Sequence, residues 1–106
     1  MSSSSCVTVR RGSLYISRDL CERYFSGLEA VILLRADHDL MIMPVRHAAA
    51  GGYLLKLRNS VGDRVVTAPD FFREQGWNDD HRQDLMVFWR TERAALCATG
   101  VFEVQS

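Results

Sequence analysis

Lysine is almost missing from this chain. Thirteen residues are basic and twelve of them are arginine, Lys56 being the exception. Arginine presents a planar fork of donors where lysine presents a point charge, so this basic set suits bidentate partners such as phosphate, carboxylate or guanine. Net charge is missing as well, because thirteen acids balance the thirteen bases. Binding to nucleic acid without sequence preference rests on neutralising phosphates, and overall neutrality argues against that class. No apolar run approaches the roughly 18 residues that a membrane-crossing helix requires. The opening MSSSSC carries no basic segment leading into an apolar one. It therefore reads as a disordered tail over residues 1–5 and not as a signal peptide. Cysteine is scarce and odd in number: Cys6, Cys21 and Cys97 lie far apart, with no C-x-x-C pair. That pattern argues against a disulfide framework or a zinc site and suits a reducing cytoplasm.

What is present is ordinary in amount and uneven in placement. With 106 residues, 47% hydrophobic and 25% charged, the chain is expected to form one globular domain with its own core. Residues 1–66 carry nine basic and six acidic groups, whereas residues 67–106 carry four basic and seven acidic. Neutrality thus conceals a basic half and an acidic half.

The chain also repeats itself. Residues 31–43 read VILLRADHDLMIM and residues 86–97 read MVFWRTERAALC. Each has four large apolar residues, an arginine, a small residue, an acid, a base and a return to apolar residues. Upstream, VTVR (7–10) and SLYI (13–16) flank a Gly-bearing turn, as do LKLR (55–58) and the stretch after Gly62. Period-two alternation around such a turn is a hairpin signal. Ser17 then suits a helix N-cap and Pro69 a first helical position, with Asp19 and Asp70 in the electropositive first turns. Leu20 and Tyr24 should face the core, with Phe71 and Gln75 in the matching places. Gly76, and Gly27 in the first unit, suit helix stops. Residues 30–35 and 85–90 are expected as buried strands, 36–39 and 91–94 as polar turns, and 40–45 and 95–97 as partner strands. A further strand is expected at 101–104. The helices correspond at a shift of 51 residues and the second hairpins at 55, the difference falling in a polar insertion, 78–84. This gives one domain, 6–106, made of two repeats, 6–46 and 53–104, joined by a flexible linker, 47–52. A unit of this size is too small to close its own core comfortably, and two can complete one another about a near-two-fold axis.

GSLYIS (12–17) followed by Leu20 and Tyr24, and DRVVTA (63–68) followed by Phe71 and the Gln75–Gly76 pair, carry a resemblance. They are similar to the motif of the AbrB, MazE and MraZ swapped-hairpin family: Gly-Arg, alternating apolar residues, Ile-Pro, and a Leu or Phe opening a short helix. The likeness covers about residues 6–104, and two units in one chain resemble MraZ. It implies a mainly β fold with two short helices (α+β), a pseudo-two-fold double swapped-hairpin barrel. It also implies DNA binding, as a transcriptional regulator or antitoxin-like protein without enzymatic activity. Arg64 then matches the Gly-Arg arginine and Arg73 an arginine early in the helix, with Arg10 and Arg58 at the strand ends nearby. Ser13 stands where the first unit should repeat that arginine, and Cys21 and Glu22 stand where basic helix residues are expected.

No catalytic constellation emerges. His38, His47 and His81 fall in a turn, the linker and the insertion. Asp79, Asp80, His81 and Asp84 lack calcium-loop spacing and read as a solvated loop. The glycines form no phosphate-cradling pattern. Met41 and Met43 read as core filler. Phe88 and Trp89 must point to opposite faces of a strand, so one of them is a partner-binding candidate. The expectation is a DNA-binding protein using Arg10, Arg11, Arg18, Arg58, Arg64 and Arg73, needing no cofactor or metal and compatible with homo-oligomers. The alternative is a protein-interaction or assembly module on the same fold, with Phe88 and Trp89 as its contact.

Overall fold

The computed structural model describes residues 5–47 and 51–102. Expectations for residues 1–4 of the tail, 48–50 of the linker and 103–104 of the last strand lie outside the described residues.

Alternating apolar positions make strands, and the strands make two antiparallel five-stranded sheets. In chain order they are β1 (Cys6–Arg10), β2 (Ser13–Ile16), helix α1 (Arg18–Tyr24), β3 (Ala30–Ala36), β4 (Asp39–Val45), β5 (Tyr53–Leu54), β6 (Lys56–Leu57), β7 (Arg64–Thr67), helix α2 (Pro69–Glu74), β8 (Arg82–Met86), β9 (Phe88–Arg90), a 3-10 turn (Thr91–Arg93) and β10 (Ala95–Ala98). The first sheet runs β6-β7-β2-β1-β8 and the second β5-β3-β4-β10-β9. The molecule is thus mainly β with two short helices. Among the described residues neither sheet closes into a barrel, since β6, β8, β5 and β9 remain edges. Each sheet takes strands from both halves of the chain, so neither half has a complete sheet alone.

Local sequence explains the joints. The β1–β2 turn places Arg11 at φ 53° and Gly12 at φ 75°, the pair of positive angles that a tight two-residue hairpin needs. Gly12 has a second reason to be glycine. A Cβ there would sit 2.5 Å from Pro69 Cα, and the Gly12 carbonyl accepts the Ala68 N–H at 2.9 Å. The hairpin is thereby locked to the start of α2. Ser17 Oγ accepts the Leu20 N–H at 3.4 Å and caps α1. No side chain caps α2; Pro69 at its first turn has no N–H to leave unsatisfied. Gly76, at φ 92°, ends the segment as expected.

Val7, Val9, Leu14, Ile16 and Val66 of the first sheet meet Leu33, Leu40, Ile42 and Leu96 of the second in one core, closed by Leu20, Phe71 and Phe72 from the helices and by Phe25 at the end of α1. Phe72 stacks on Trp77 with ring centres 5.3 Å apart, and no described polar or charged side chain is buried.

Several boundaries differ from expectation. Residues 85–90 are not one buried strand. The chain pairs with β1 up to Met86, bends at buried Val87, and joins β10 from Phe88 onward. Leu55, also buried, makes the corresponding bend between β5 and β6, breaking the strand expected at 55–58. Such corners let one run of chain serve two packed sheets. The expected polar insertion ends in a strand, because Arg82–Met86 satisfy the backbone edge of β1 that a loop would leave open. Val101 and Phe102 form a buried turn in place of a strand, the Phe102 N–H donating to the His38 carbonyl at 2.9 Å.

The internal echo is out of phase by one residue. Arg35 pairs with Leu40 and Arg90 with Ala95, so a shift of 55 preserves the hairpin register. It does not preserve the faces: Leu33 is buried while its counterpart Phe88 is 42% exposed. Side chains alternate with period two, so an odd displacement turns each one over. Matching by face pairs Leu34 with Phe88 and Met41 with Cys97. The second turn, residues 91–94, is then two residues longer than the turn at 37–38.

Candidate nucleic-acid interface

Most outward residues of the first sheet are polar, and they follow from the strand register; Val65 and, beside Cys6, the exposed Met86 are the apolar exceptions. One cross-strand row runs Thr67, Ser13, Arg10, Arg82; the next runs Lys56, Val65, Tyr15, Thr8, Asp84. Tyr15 stands near the centre. The Arg10 guanidinium lies 5.2 Å from its ring centre and donates to its hydroxyl at 3.4 Å. The Arg58 guanidinium lies 4.8 Å from the same ring. Thr8, Arg10, Tyr15, Arg58 and Arg82 line a shallow cleft of about 220 Å³. Cation–π contact orients an arginine without neutralising it.

The loop that presents Arg58 is organised by Asn59. Asn59 Oδ1 accepts the N–H groups of Val61, Gly62 and Asp63 at 3.1–3.2 Å, and Nδ2 donates to Asp63 Oδ2 at 3.0 Å. Asp63 Oδ1 accepts the Arg18 N–H at 2.9 Å, tying this loop to the start of α1. The hydrogen bond from Asn59 and that from the Arg18 backbone hold the Asp63 carboxyl below its ordinary value. Across the sheet Thr8 donates to Asp84 at 2.7 Å, which engages the one acid of these two rows.

The other expected arginines lie elsewhere. Arg18 bonds Glu22 at 2.8 Å, one helical turn away. Arg73 makes a two-pronged pair with Asp79 at 2.9 and 3.2 Å. Both guanidinium groups therefore already have carboxylate partners. Arg64 pairs in register with Ile16 and so shares its core-directed side of the sheet. It borders a groove with Cys21, Glu22, Phe25 and Leu55. Arg11 is exposed in the β1–β2 turn beside Arg10. The arginines brought together are Arg10, Arg58 and Arg82, with Lys56 in the adjoining row. Arg82 was absent from the sequence-based set because its segment read as a loop. The signal available was the alternation of Gln83 and Leu85 with Arg82, Asp84 and Met86.

The remaining reactive groups do not assemble. Burial pushes the Cys21 thiol up to about 11, against a smaller downward pull from Arg64, and burial also raises the Cys97 thiol. His81 stacks on Trp77 with ring centres 3.9 Å apart and bonds Gln83 at 2.9 Å. Asp79 and Asp84 are engaged by Arg73 and Thr8 as described, so the acidic stretch after Asn78 does not converge. Among the described residues no group of three or more His, Cys, Asp and Glu side chains is placed to hold a metal ion. Of the aromatic pair in β9, Trp89 turns inward and stacks on Tyr24, ring centres 4.9 Å apart and planes within 6°. Phe88 turns outward.

No helix of the described chain is long and apolar enough to cross a membrane. Compared with protein-family models, with curated proteins and with solved structures, the chain matches none.

Proposed function

We propose that this chain is a non-enzymatic DNA-binding protein of the swapped-hairpin kind, acting in transcriptional regulation or as an antitoxin-like partner. The outer face of the first sheet is its contact surface. One observation carries the reading: Arg10, Arg58 and Arg82 gather around Tyr15 on a polar sheet face, while Arg18 and Arg73 are held by acids elsewhere. Three forked donors on one face match closely spaced phosphates, which would set the register of the protein on a duplex while one arginine reaches a base edge. The interleaving of strands from both halves in both sheets supports the family resemblance and the doubling of the unit. Overall neutrality is consistent with a contact confined to one face.

The test is fluorescence anisotropy against a library of duplexes at increasing salt. Binding should weaken steeply between about 50 and 200 mM salt, with a log–log slope near −0.9 per phosphate contacted. Absence of salt-sensitive binding to any duplex contradicts the reading. The alternative, a protein-interaction module, is favoured by a different observation: the exposed Phe88 and Leu34 on the outer side of the second sheet.

A further inference from the structure

The two sheets differ in what they turn outward. An antiparallel sheet packed on a core usually alternates apolar and polar residues, with its polar face in water. The first sheet largely obeys this with Thr8, Arg10, Ser13, Tyr15, Thr67 and Arg82, Val65 and Met86 apart. The second does not. Its inner residues Val31, Leu33, Leu40, Ile42 and Leu96 fill the core, yet its outer residues are apolar too. One cross-strand row on that outer side reads Leu34, Met41, Cys97, Phe88. Ile32, Met43 and Ala95 continue the face on one side of this row and Ala36 on the other. Met41, Ala95 and Cys97 form a small cluster separate from the main core, with Ala36 and Met43 packed against it. Leu34 and Phe88, at the two ends of the central row, are 41% and 42% exposed.

Charge on this face is unevenly placed, although Glu92 shares the turn of Arg93. Asp39 lies on the side of Ala36, its Oδ1 accepting the Gly100 N–H at 2.9 Å, with Asp37 in the adjoining turn. Arg90 lies on the opposite side of the central row, its guanidinium 5.1 Å from the Phe88 ring centre. Arg93, next to it, reaches back over the face to 3.9 Å from the Met41 sulfur. An apolar row midway between an acidic and a basic margin is self-complementary under a two-fold rotation about that row.

We propose that the outer face of the second sheet is the interface of a homodimer, two copies stacking face to face about an axis along the Leu34–Met41–Cys97–Phe88 row. The rotation sets apolar row against apolar row and brings the partner's Asp39 to the side of Arg93, whose side chain swings off Met41 to meet it. Sheets stack about 10 Å apart, and at about 4.8 Å between strands this face spans roughly 20 Å each way. That footprint lies toward the small end of specific interfaces, so the dimer exchanges with monomer. The inference does not depend on DNA binding, and the polar face of the first sheet stays outside the contact.

Sedimentation velocity of the full chain from about 1 to 100 µM, the range that brackets micromolar affinity, should show a concentration-dependent monomer–dimer equilibrium. Phe88→Arg and Leu34→Glu should each weaken the dimer at least tenfold with unchanged circular dichroism. Leu57→Arg, at an exposed apolar position on the first sheet, should not. Arg93→Asp should weaken the dimer, and Arg93→Asp combined with Asp39→Arg should restore part of it. A monomer throughout the range overturns the proposal, including the outcome in which the face serves an unrelated protein. A dimer indifferent to both Phe88→Arg and Leu34→Glu overturns it equally.

Discussion

At the scale of single residues, small polar groups decide where the arginines go. Asn59 ties its loop through three accepted N–H bonds and one donated bond, and Asp63 passes the constraint to α1. Asp63 and Asp79 are both held below the ordinary carboxylate value of 3.8, by Asn59 and by Arg73 respectively. A carboxylate depressed in the folded state contributes stability that is whole above its unfolded value and lost as pH falls through the folded one. Asp63→Asn should therefore lower Tm at pH 7 and approach the parent protein as pH falls below the ordinary carboxylate value, read by calorimetry across pH; an equal Tm at pH 7 contradicts it. The thiols make a second residue-scale prediction. Cys6 is exposed while Cys21 and Cys97 are buried with raised thiol values. Thiolate is the reactive form. Native protein at pH 8 should thus label rapidly at one thiol, and all three only after unfolding.

At the scale of elements, the local signals were legible where they concern short-range chemistry. Ser17, Pro69 and Gly76 marked both helices, and the alternation in VTVR and SLYI marked the first hairpin. What could not be read were features set by a distant partner. Arg82–Met86 is a strand because β1 offers an open edge, and nothing in its own composition requires that. Arg64 looked like the motif arginine, yet its register opposite Ile16 turns it away from Arg10 and Arg58. Phe88 and Leu33 occupy equal places in the echo and opposite faces of the sheet, because the longer second turn shifts the phase. Two substitutions test the joints. Gly12→Ala forces a positive φ on a side chain that meets Pro69, and should cost about 2 kcal/mol or more by urea unfolding. Ser17→Ala removes the α1 cap and should cost about 1 kcal/mol.

At the scale of the whole molecule, one chain supplies strands of both halves to two open sheets around one core. Phe72, 2% exposed between them and stacked on Trp77, joins α2 to that core; Phe72→Ala should cost about 3–5 kcal/mol and unfold the two halves together. The sheets then divide their outer surfaces, a polar face with gathered arginines on the first and an apolar face on the second. Composition could not reveal this division, since the charges sum to zero and the apolar fraction is average. It appears only when register decides which alternate residues face outward.

As proposed, DNA meets the outer face of the first sheet and not the arginine set as a whole. The direct measurement is the salt dependence of duplex binding for two variants with equivalent circular dichroism: Arg58→Ala with Arg82→Ala, and Arg18→Ala with Arg73→Ala. Each lost phosphate contact should lower the slope by about one. A slope reduced by about two, and affinity reduced at least tenfold, is expected for the first pair only. Equal losses in both pairs, or a loss confined to Arg18 and Arg73, contradict it.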